Sequence, residues 1–183
     1  MPWIDRRIHQ AGVTALLPIP QPSVSLLQPC LTDTTKSYSM KDATSISATE
    51  GFLLITGSYD DHIRLLYCPN VGRKVVLAEE NLDGGVFRIK FVERSTRVDP
   101  DTGKTEQIFL LIVSCMQAGA RIVKLCESEG EWYFKVEAKF EKNNGTLLYA
   151  SDCQSISSSI DQRSIISTSF EDRKLFLWSW KAH

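Results

Sequence analysis

The feature that decides the fold is a pair of short apolar runs separated by a polar turn, in the stretch Leu54-Ile-Thr-Gly-Ser-Tyr-Asp60-Asp-His-Ile-Arg-Leu-Leu66. The first run ends in small hydroxyl residues, an Asp follows in the turn, and a large residue, Leu66, lies six positions after that Asp. The same arrangement returns near the end of the chain in Ile165-Ile-Ser-Thr-Ser-Phe-Glu-Asp172-Arg-Lys-Leu-Phe-Leu-Trp178. The two stretches are therefore interpreted as copies of one structural unit.

The alignment of the two copies is open by one residue. Matching the turn aspartates pairs Leu66 with Trp178. Matching the hydroxyl residues Ser58 and Ser169 instead makes Asp61 and Tyr67 the equivalents of the later Asp and Trp.

The rest of the chain shows the same strand-like pattern. Apolar runs of about five to ten residues alternate with polar turns, and no run has a sustained 3.6-residue repeat. The runs are Val13–Pro20, Phe52–Thr56, Ile63–Tyr67, Lys74–Ala78, Val86–Val92, Ile108–Cys115, Ala120–Leu125, Trp132–Phe140, Leu147–Ser151, Ser164–Ser169 and Lys174–Trp180. A third copy of the two-run unit lies at 109–125, with Gly119 in its turn, so the copies recur about every 50–60 residues, close to the blade period of repeat propellers. The chain is predicted to be all-β.

The repeated unit resembles the middle of a WD repeat. In such repeats the turn Asp hydrogen-bonds an upstream His and braces the blade, and His9 is placed to serve Asp60 in this way. The Trp-Asp position of the repeat reads Leu66-Tyr67 in one copy and Trp178-Ser179 in another. The resemblance implies that residues 1–183 form a partial WD40-type β-propeller of about three blades.

The predicted blades cover approximately residues 1–70, 71–126 and 127–183. The first contains an insertion at 21–51 that is rich in Pro, Ser and Thr and is either a surface loop or an unremoved intervening sequence. Three blades fall short of the usual range of about four to eight, and open ends expose strand edges that proteins normally cover. We therefore expect either a partial gene product that lacks further blades or a partner chain that completes the ring.

Six stretches carry a closer resemblance, and they occur in family order over nearly the whole chain outside 21–51. They are Ile8–Thr14, Thr56–Leu65, Gly84–Lys90, Cys115–Ile122, Leu148–Cys153 and Ser167–Trp180. Together they resemble the C-terminal part of the WD-repeat diphthine methyl ester hydrolases of diphthamide biosynthesis, also called diphthine methyltransferases. The resemblance implies hydrolysis of a methyl ester on the modified histidine of elongation factor 2, with release of methanol. It implies no cofactor, and elongation factor 2 as the protein partner.

The chain departs from the family pattern at three places. Gln117 stands where the family usually has His, and Glu171-Asp172-Arg173 stands where it has Tyr-Asp-His. A family Gly-Ala-Asp-Trp run reads Ala150-Ser151-Asp152-Cys153, whereas His62 and Arg88 are kept. The alternative hypothesis is a non-catalytic WD-repeat interaction scaffold or an inactive truncated relative, because propellers commonly bind partners through exposed loops without catalysis.

Three side chains are candidates for catalysis: His62, Asp61 and Asp152. His62 beside Asp61 is the only His/carboxylate pair in the sequence, and imidazole is suited to base chemistry near neutral pH. A solvated turn is the competing interpretation of this pair. Asp152 follows a strand and is either a turn residue or a base. Asp60 and Asp172, in contrast, occupy the bracing position of WD turns and are predicted to be structural.

Four further residues are candidates for substrate binding. Gly84 and Gly85 precede a strand, so they either form the turn that enters it or offer bare amides to an oxyanion. Arg88 and Arg121 could bind a carboxylate or face solvent. No Gly-x-Ser-x-Gly elbow is present, which argues against an α/β-hydrolase mechanism. Cys115, inside an apolar run, is predicted to be a buried core thiol.

Composition excludes several classes of function. The formal net charge is −1 and the basic residues are scattered, so neither nucleic acid nor an anionic membrane is expected as a partner. Only three His are present, and no metal-ligand cluster is expected. Five Cys without a C-x-x-C pair indicate reduced thiols. With no secretory signal or membrane-spanning run, the protein is predicted to be cytoplasmic.

Overall fold

The computed structural model describes residues 6–19, 51–70, 72–141, 146–154 and 162–181. Every regular element in these ranges is a β-strand, and each of the predicted apolar runs overlaps one of them, so the all-β prediction is confirmed. The strands are β1 Val13–Ile19, β2 Gly51–Ser58, β3 His62–Pro69, β4 Val75–Asn81, β5 Arg88–Val98, β6 Thr105–Ser114, β7 Ala120–Ser128, β8 Glu131–Phe140, β9 Leu148–Cys153, β10 Gln162–Ser169 and β11 Leu175–Lys181. No helix able to cross a membrane occurs among these residues.

The strands form three antiparallel sheets, each made from consecutive strands. The sheet orders are β1-β2-β3-β4, β5-β6-β7-β8 and β11-β10-β9. Such meandering sheets of three or four strands are the blades of a propeller, so the partial WD40-type propeller of about three blades is confirmed. The insertion predicted at 21–51 lies outside the described residues, except for Gly51.

Backbone pairing decides to which sheet each fourth strand belongs. β4 pairs with β3, placing His62 opposite Asn81, and β8 pairs with β7, placing Ala120 opposite Phe140. The first sheet therefore extends from residue 13 to 81 and the second from 88 to 140, whereas the sequence analysis divided the blades near residues 70 and 126. An apolar run shows that a strand exists, but it does not show which neighbour supplies the hydrogen bonds.

The core lies between the sheets. Ile55, Ile63 and Leu65 of the first sheet are fully buried against Phe109, Leu111 and other residues of the second. Burial of one such side chain contributes about 1.5–3 kcal/mol. Gly57 belongs to this interface because a Cβ there would lie 2.3 Å from Val86 Cγ1. Only a glycine therefore lets β2 approach the strand connection this closely.

The turns between the second and third strands of each sheet explain why the two sequence copies can be aligned in two ways. In the first sheet Gly57 pairs with Ile63, and in the third Thr168 pairs with Leu175. The third-sheet turn is therefore one residue longer. The preceding strands superpose on the hydroxyl residues, and the following strands superpose on the aspartates, so each alignment describes one half of the unit.

The connections between sheets converge on one edge of the structure. Val86 N donates to Ser58 O at 2.9 Å, Phe87 N to Ser114 O at 2.8 Å and Leu148 N to Met116 O at 3.0 Å. We call this the loop edge; it comprises the turns at 59–61, 115–119 and 170–174, the connection 82–87 and the first residues of β3, β5 and β9. The backbone bonds fix each connection against the turn of its neighbour.

Candidate functional site

The centre of the first blade is a buried polar cluster around Asp60. Its side chain is 6% exposed and accepts hydrogen bonds from Gln10 N at 2.9 Å and His62 N at 3.2 Å. Arg64 Nη1 donates to Asp60 Oδ2 at 2.9 Å, and His9 Nδ1 lies 3.2 Å from the same oxygen. The predicted brace between His9 and Asp60 is therefore confirmed, and it is reinforced by a guanidinium.

The cluster keeps Asp60 ionised. Burial by itself raises the pKa of this carboxyl group, but the Gln10 and His62 amides and then Arg64 outweigh burial and lower the pKa from 3.8 to about 2. Backbone amides and a guanidinium pointing at a carboxylate stabilise its charged form. Because these donors occupy the lone pairs of the Asp60 carboxylate, Asp60 stabilises the blade and is not available as a catalytic base.

The surroundings of His9 favour its neutral form. Burial, the largest influence, lowers the pKa of His9; the Asp60 carboxylate acts against burial, and the Arg64 guanidinium adds to it. His9 Nδ1 lies 3.2 Å from Asp60 Oδ2 and 2.7 Å from Arg64 Nη1. His9 Nε2 lies 2.8 Å from Thr56 Oγ1, so the ring is held between the Thr56 hydroxyl and the Asp60 carboxylate.

His62 differs from His9 in that it faces solvent. It is the first residue of β3, and its side chain is 30% exposed. Its Nδ1 lies 2.6 Å from the Asp60 carbonyl oxygen, which can only accept, so Nδ1 carries the proton and donates. In the neutral ring this leaves the lone pair on Nε2. The turn thus fixes both the tautomer and the orientation of the ring. A histidine base needs such a hydrogen bond on one ring nitrogen so that the other nitrogen can accept a proton.

The two carboxylate candidates lie in different settings. Asp61 occupies the turn with φ of 64°, and its carbonyl accepts from Leu82 N at 2.8 Å. Asp152 lies along β9, is 60% exposed and forms an ion pair with Lys90. The hydrogen bond from Lys90 lowers the pKa of Asp152 below its usual range. Among the described residues, no hydrogen bond or ion pair joins Asp152 to His62.

Gly84 and Gly85 pack tightly at the loop edge. A Cβ on Gly84 would lie 2.5 Å from Cys115 O, and one on Gly85 would lie 3.1 Å from both Met116 Sδ and Tyr59 Cδ1. Both residues are buried. Gly84 is thus required for close approach of the connection 82–87 to the turn at Cys115, and Gly85 leaves little room for a side chain beside Tyr59 and Met116.

The two arginine candidates separate by burial. Arg88 is exposed at the start of β5, on the loop edge. Arg121 is 1% exposed, and its guanidinium donates to Ala118 O at 2.6 Å and to Glu141 Oε1 at 3.0 Å. Its charge is engaged within the protein, so of the two only Arg88 can readily meet an external carboxylate.

The loop edge therefore gathers five of the seven sequence-derived site residues. They are Asp61, His62, Gly84, Gly85 and Arg88. In the described ranges no group of three or more His, Cys, Asp or Glu residues could hold a metal ion. Cys115 is fully buried, and burial raises its pKa to about 12, which confirms the predicted core thiol.

The sequence analysis missed a buried chain of hydroxyl groups between the second and third blades. Ser114 Oγ donates to Ser151 Oγ at 3.2 Å, Ser151 and Ser167 hydroxyls are 2.7 Å apart, and Trp178 Nε1 donates to Ser167 Oγ at 3.0 Å. The one available signal was the recurrence of Ser or Thr at the end of each second strand. It also missed Arg64, which a strand pattern marks only as an outward residue.

Comparison with known proteins found that the chain is similar to a curated yeast protein. The chain is 29% identical over 186 aligned positions to diphthine methyltransferase of Saccharomyces cerevisiae, covering 96% of the chain and 39% of the yeast protein. The chain thus spans about two fifths of the length of this relative. No protein-family model matches the chain, and no solved structure matches it.

Proposed function

We propose that the chain is part of a protein that hydrolyses the methyl ester of methylated diphthine on elongation factor 2 during diphthamide biosynthesis. The observation that carries the proposal is the similarity to yeast diphthine methyltransferase along 96% of the chain. A cytoplasmic location is part of the proposal, because elongation factor 2 acts in translation; the free thiols of Cys68, Cys115, Cys126 and Cys153 are compatible with it. The reaction needs no cofactor, because water is the second reactant.

His62 is proposed as the general base. Its Nδ1–H is held by the Asp60 carbonyl at 2.6 Å, so Nε2 can take a proton from a water molecule. The hydroxide oxygen bonds to the ester carbonyl carbon, and the bond from that carbon to the methoxy oxygen then breaks. The imidazolium returns the proton to the departing oxygen, which gives methanol, and the new carboxylic acid releases its proton to water and becomes a carboxylate.

The other candidate residues are proposed either to stabilise charges that develop during the reaction or to hold the site in place. Ester hydrolysis develops negative charge on the carbonyl oxygen, and donors directed at that oxygen lower the barrier. Arg88, exposed on the same edge, is proposed to receive the oxyanion or the product carboxylate, with Gly84 and Gly85 shaping the adjacent backbone. Asp61 and Asp152 are proposed to favour the positive charge that develops on His62, and Arg121 is proposed to hold the loop edge in place.

The test is incubation of the purified chain with elongation factor 2 carrying methylated diphthine, followed by mass spectrometry of the modified peptide. Loss of the methyl group is expected, and His62→Gln is expected to reduce its rate by about 10²–10⁴-fold, the usual contribution of a general base. Tyr133→Phe is the control and should leave the rate unchanged. Tyr133 is exposed and lies near the turn between β7 and β8, at the other end of β7 from the loop edge. An intact ester with folded wild-type protein would exclude hydrolysis by this chain, and an unchanged rate in His62→Gln would exclude His62.

A non-catalytic interaction scaffold is the second candidate function. It is favoured by the exposed apolar residues of the third blade, where Leu175 is 69% and Leu177 78% exposed. It is also favoured by Gln117 and Arg173, which stand at positions where the related family has His. A folded chain that binds elongation factor 2 in a calorimetric titration but leaves the ester intact would support the scaffold.

Completion of the propeller by other polypeptide is a further part of the proposal. Apolar residues are exposed on both terminal sheets, with Leu16 65% and Phe52 44% exposed on the first and Leu177 78% exposed on the last. Additional blades, from a longer chain or a partner chain, would cover such faces. Co-expression with a three-blade or four-blade segment of a related protein should yield a complex in size-exclusion chromatography; two separate species would contradict it.

A further inference from the structure

The first two blades contact the blade that follows them through an equivalent pair of positions. In each sheet this pair lies two residues away, on both strands, from the pair that closes the turn between the second and third strands. In the first blade it is Ile55 opposite Leu65, and in the second it is Ile112 opposite Ile122. The first pair is buried in the core shared with the second blade, and the second pair packs with Ile165 of the third. We call these positions the forward pair, and their side of the sheet the forward face.

The forward pair of the third blade is uncovered. It consists of Ile166 and Leu177, which lie opposite one another in β10 and β11. Ile166 is 42% and Leu177 78% exposed, whereas no member of the other two forward pairs is more than 2% exposed. Ile165 packs against the second blade, so Ile166, the next residue of the strand, faces away from that blade. The surface that accepts a blade elsewhere in the chain is therefore open to solvent on the third blade.

The first blade carries the complementary surface on its other side. Residues next to the forward pair alternate to the opposite face of each sheet, the backward face, and form a second pair there. The backward pairs are Leu54 with Leu66, Leu111 with Val123 and Ile165 with Trp178. In the second and third blades this pair packs against the preceding blade. On the first blade the backward face also carries the exposed side chains of Leu16 and Phe52, so it is the unused half of a junction between blades.

We propose that a second copy of the chain covers both surfaces and closes the propeller. The third blade of each copy packs its forward face against the backward face of the first blade of the other copy, as successive blades do within one chain. Such head-to-tail contacts form a ring when the rotation returns to its start. Two copies supply about six blades, within the usual range of about four to eight, and three copies would exceed that range.

The presence of both surfaces on one chain favours a second copy over an unrelated partner. An unrelated polypeptide must match a forward and a backward face at once, whereas an identical chain presents each face to its complement. The inference rests on the proposed completion of the propeller by other polypeptide, and it does not depend on ester hydrolysis by this chain.

Size-exclusion chromatography with multi-angle light scattering on the purified chain tests the proposal over a dilution series. The expected mass is twice the 20.6 kDa of one chain, falling toward that of one chain on dilution. The mass of one chain at every concentration would overturn the proposal. If co-expression with a segment of a related protein then gave a complex, completion of the propeller would stand without the second copy. Masses above that of two chains would also overturn it, because they would show an open assembly.

Charged substitutions on each face test the head-to-tail arrangement. Leu177→Asp on the forward face and Leu16→Asp on the backward face should each raise the dissociation constant of the dimer at least about tenfold, since an unpaired carboxylate is costly to bury. Mixing the two variants should restore dimers, because one of the two junctions in the mixed pair carries neither substitution. Val98→Asp, at an exposed apolar position of the second blade, is the matched control and should leave the dissociation constant unchanged.

Both substituted leucines are exposed in one chain, so the variants are expected to fold, which circular dichroism checks. An unchanged dissociation constant in either single variant would refute the head-to-tail contact, because a dimer formed through one face alone tolerates a charge on the other. Failure of the mixed variants to form dimers would refute it as well.

Discussion

Replacement of Asp60 by Asn tests the buried brace of the first blade. The substitution keeps the size of the side chain but removes its negative charge, leaving Arg64, whose side chain is 7% exposed, with only the Glu79 carboxylate at 2.9 Å. It also weakens the bonds from the Gln10 and His62 amides, since an amide oxygen is a poorer acceptor than a carboxylate. The blade should therefore be less stable in the variant.

The pKa of Asp60 gives the magnitude. A folded-state pKa of about 2 against an ordinary value of 3.8 means that the native structure favours the charged carboxylate. At 1.36 kcal/mol for each pKa unit, the ionised group contributes about 2 kcal/mol at neutral pH. Because the folded pKa is the lower one, this stability is fully present above pH 3.8 and is lost as the pH falls toward 2. We expect Asp60→Asn to cost about 2–3 kcal/mol at pH 7.

Urea unfolding followed by circular dichroism measures the free energies of unfolding. The difference between wild type and Asp60→Asn should shrink as the pH is lowered from 4 toward 2, because the wild-type carboxylate then becomes protonated. Asp152→Asn is the control: its ion pair with Lys90 is 60% exposed on the Asp side and should contribute less than about 1 kcal/mol. A variant within about 0.5 kcal/mol of wild type at pH 7 would refute the assignment of Asp60 as a charged structural hub.

Two further predictions concern packing between the blades. Ser151→Ala breaks the buried hydroxyl chain to Ser167, at 2.7 Å, and should lower the free energy of unfolding by about 1–2 kcal/mol in urea titrations; a neutral effect would mean that the chain is not maintained in solution. Gly84→Ala places a methyl group 2.5 Å from the Cys115 carbonyl and should cost about 1–3 kcal/mol, whereas Gly12→Ala, with its nearest neighbour at 3.5 Å, should change stability by less than about 0.5 kcal/mol. Similar values for the two alanine variants would contradict the close approach at Gly84.

The sequence predicted part of the candidate site because some of its geometry is local. His62 follows Asp60 by two residues, so the bond from its ring to the Asp60 carbonyl forms within one turn. The partnership of His9 with Asp60 spans 51 residues, and it was predictable only from the resemblance to WD repeats, in which an upstream His pairs with the turn Asp. Arg88 and Arg121 illustrate the limit. The sequence left the same two alternatives open for both, yet Arg88 is exposed and Arg121 is buried beside Glu141.

The sequence by itself determined that the chain is a series of short antiparallel strands, because alternation of side chains along a strand and the chemistry of turns act over a few residues. Tertiary structure alone decided that β4 and β8 close the sheets that precede them, since many strands could supply the same backbone hydrogen bonds. It also decided the hydroxyl chain from Ser114 to Ser167. These contacts join residues far apart in the chain, and only the packing of one blade on the next brings them within a few ångströms.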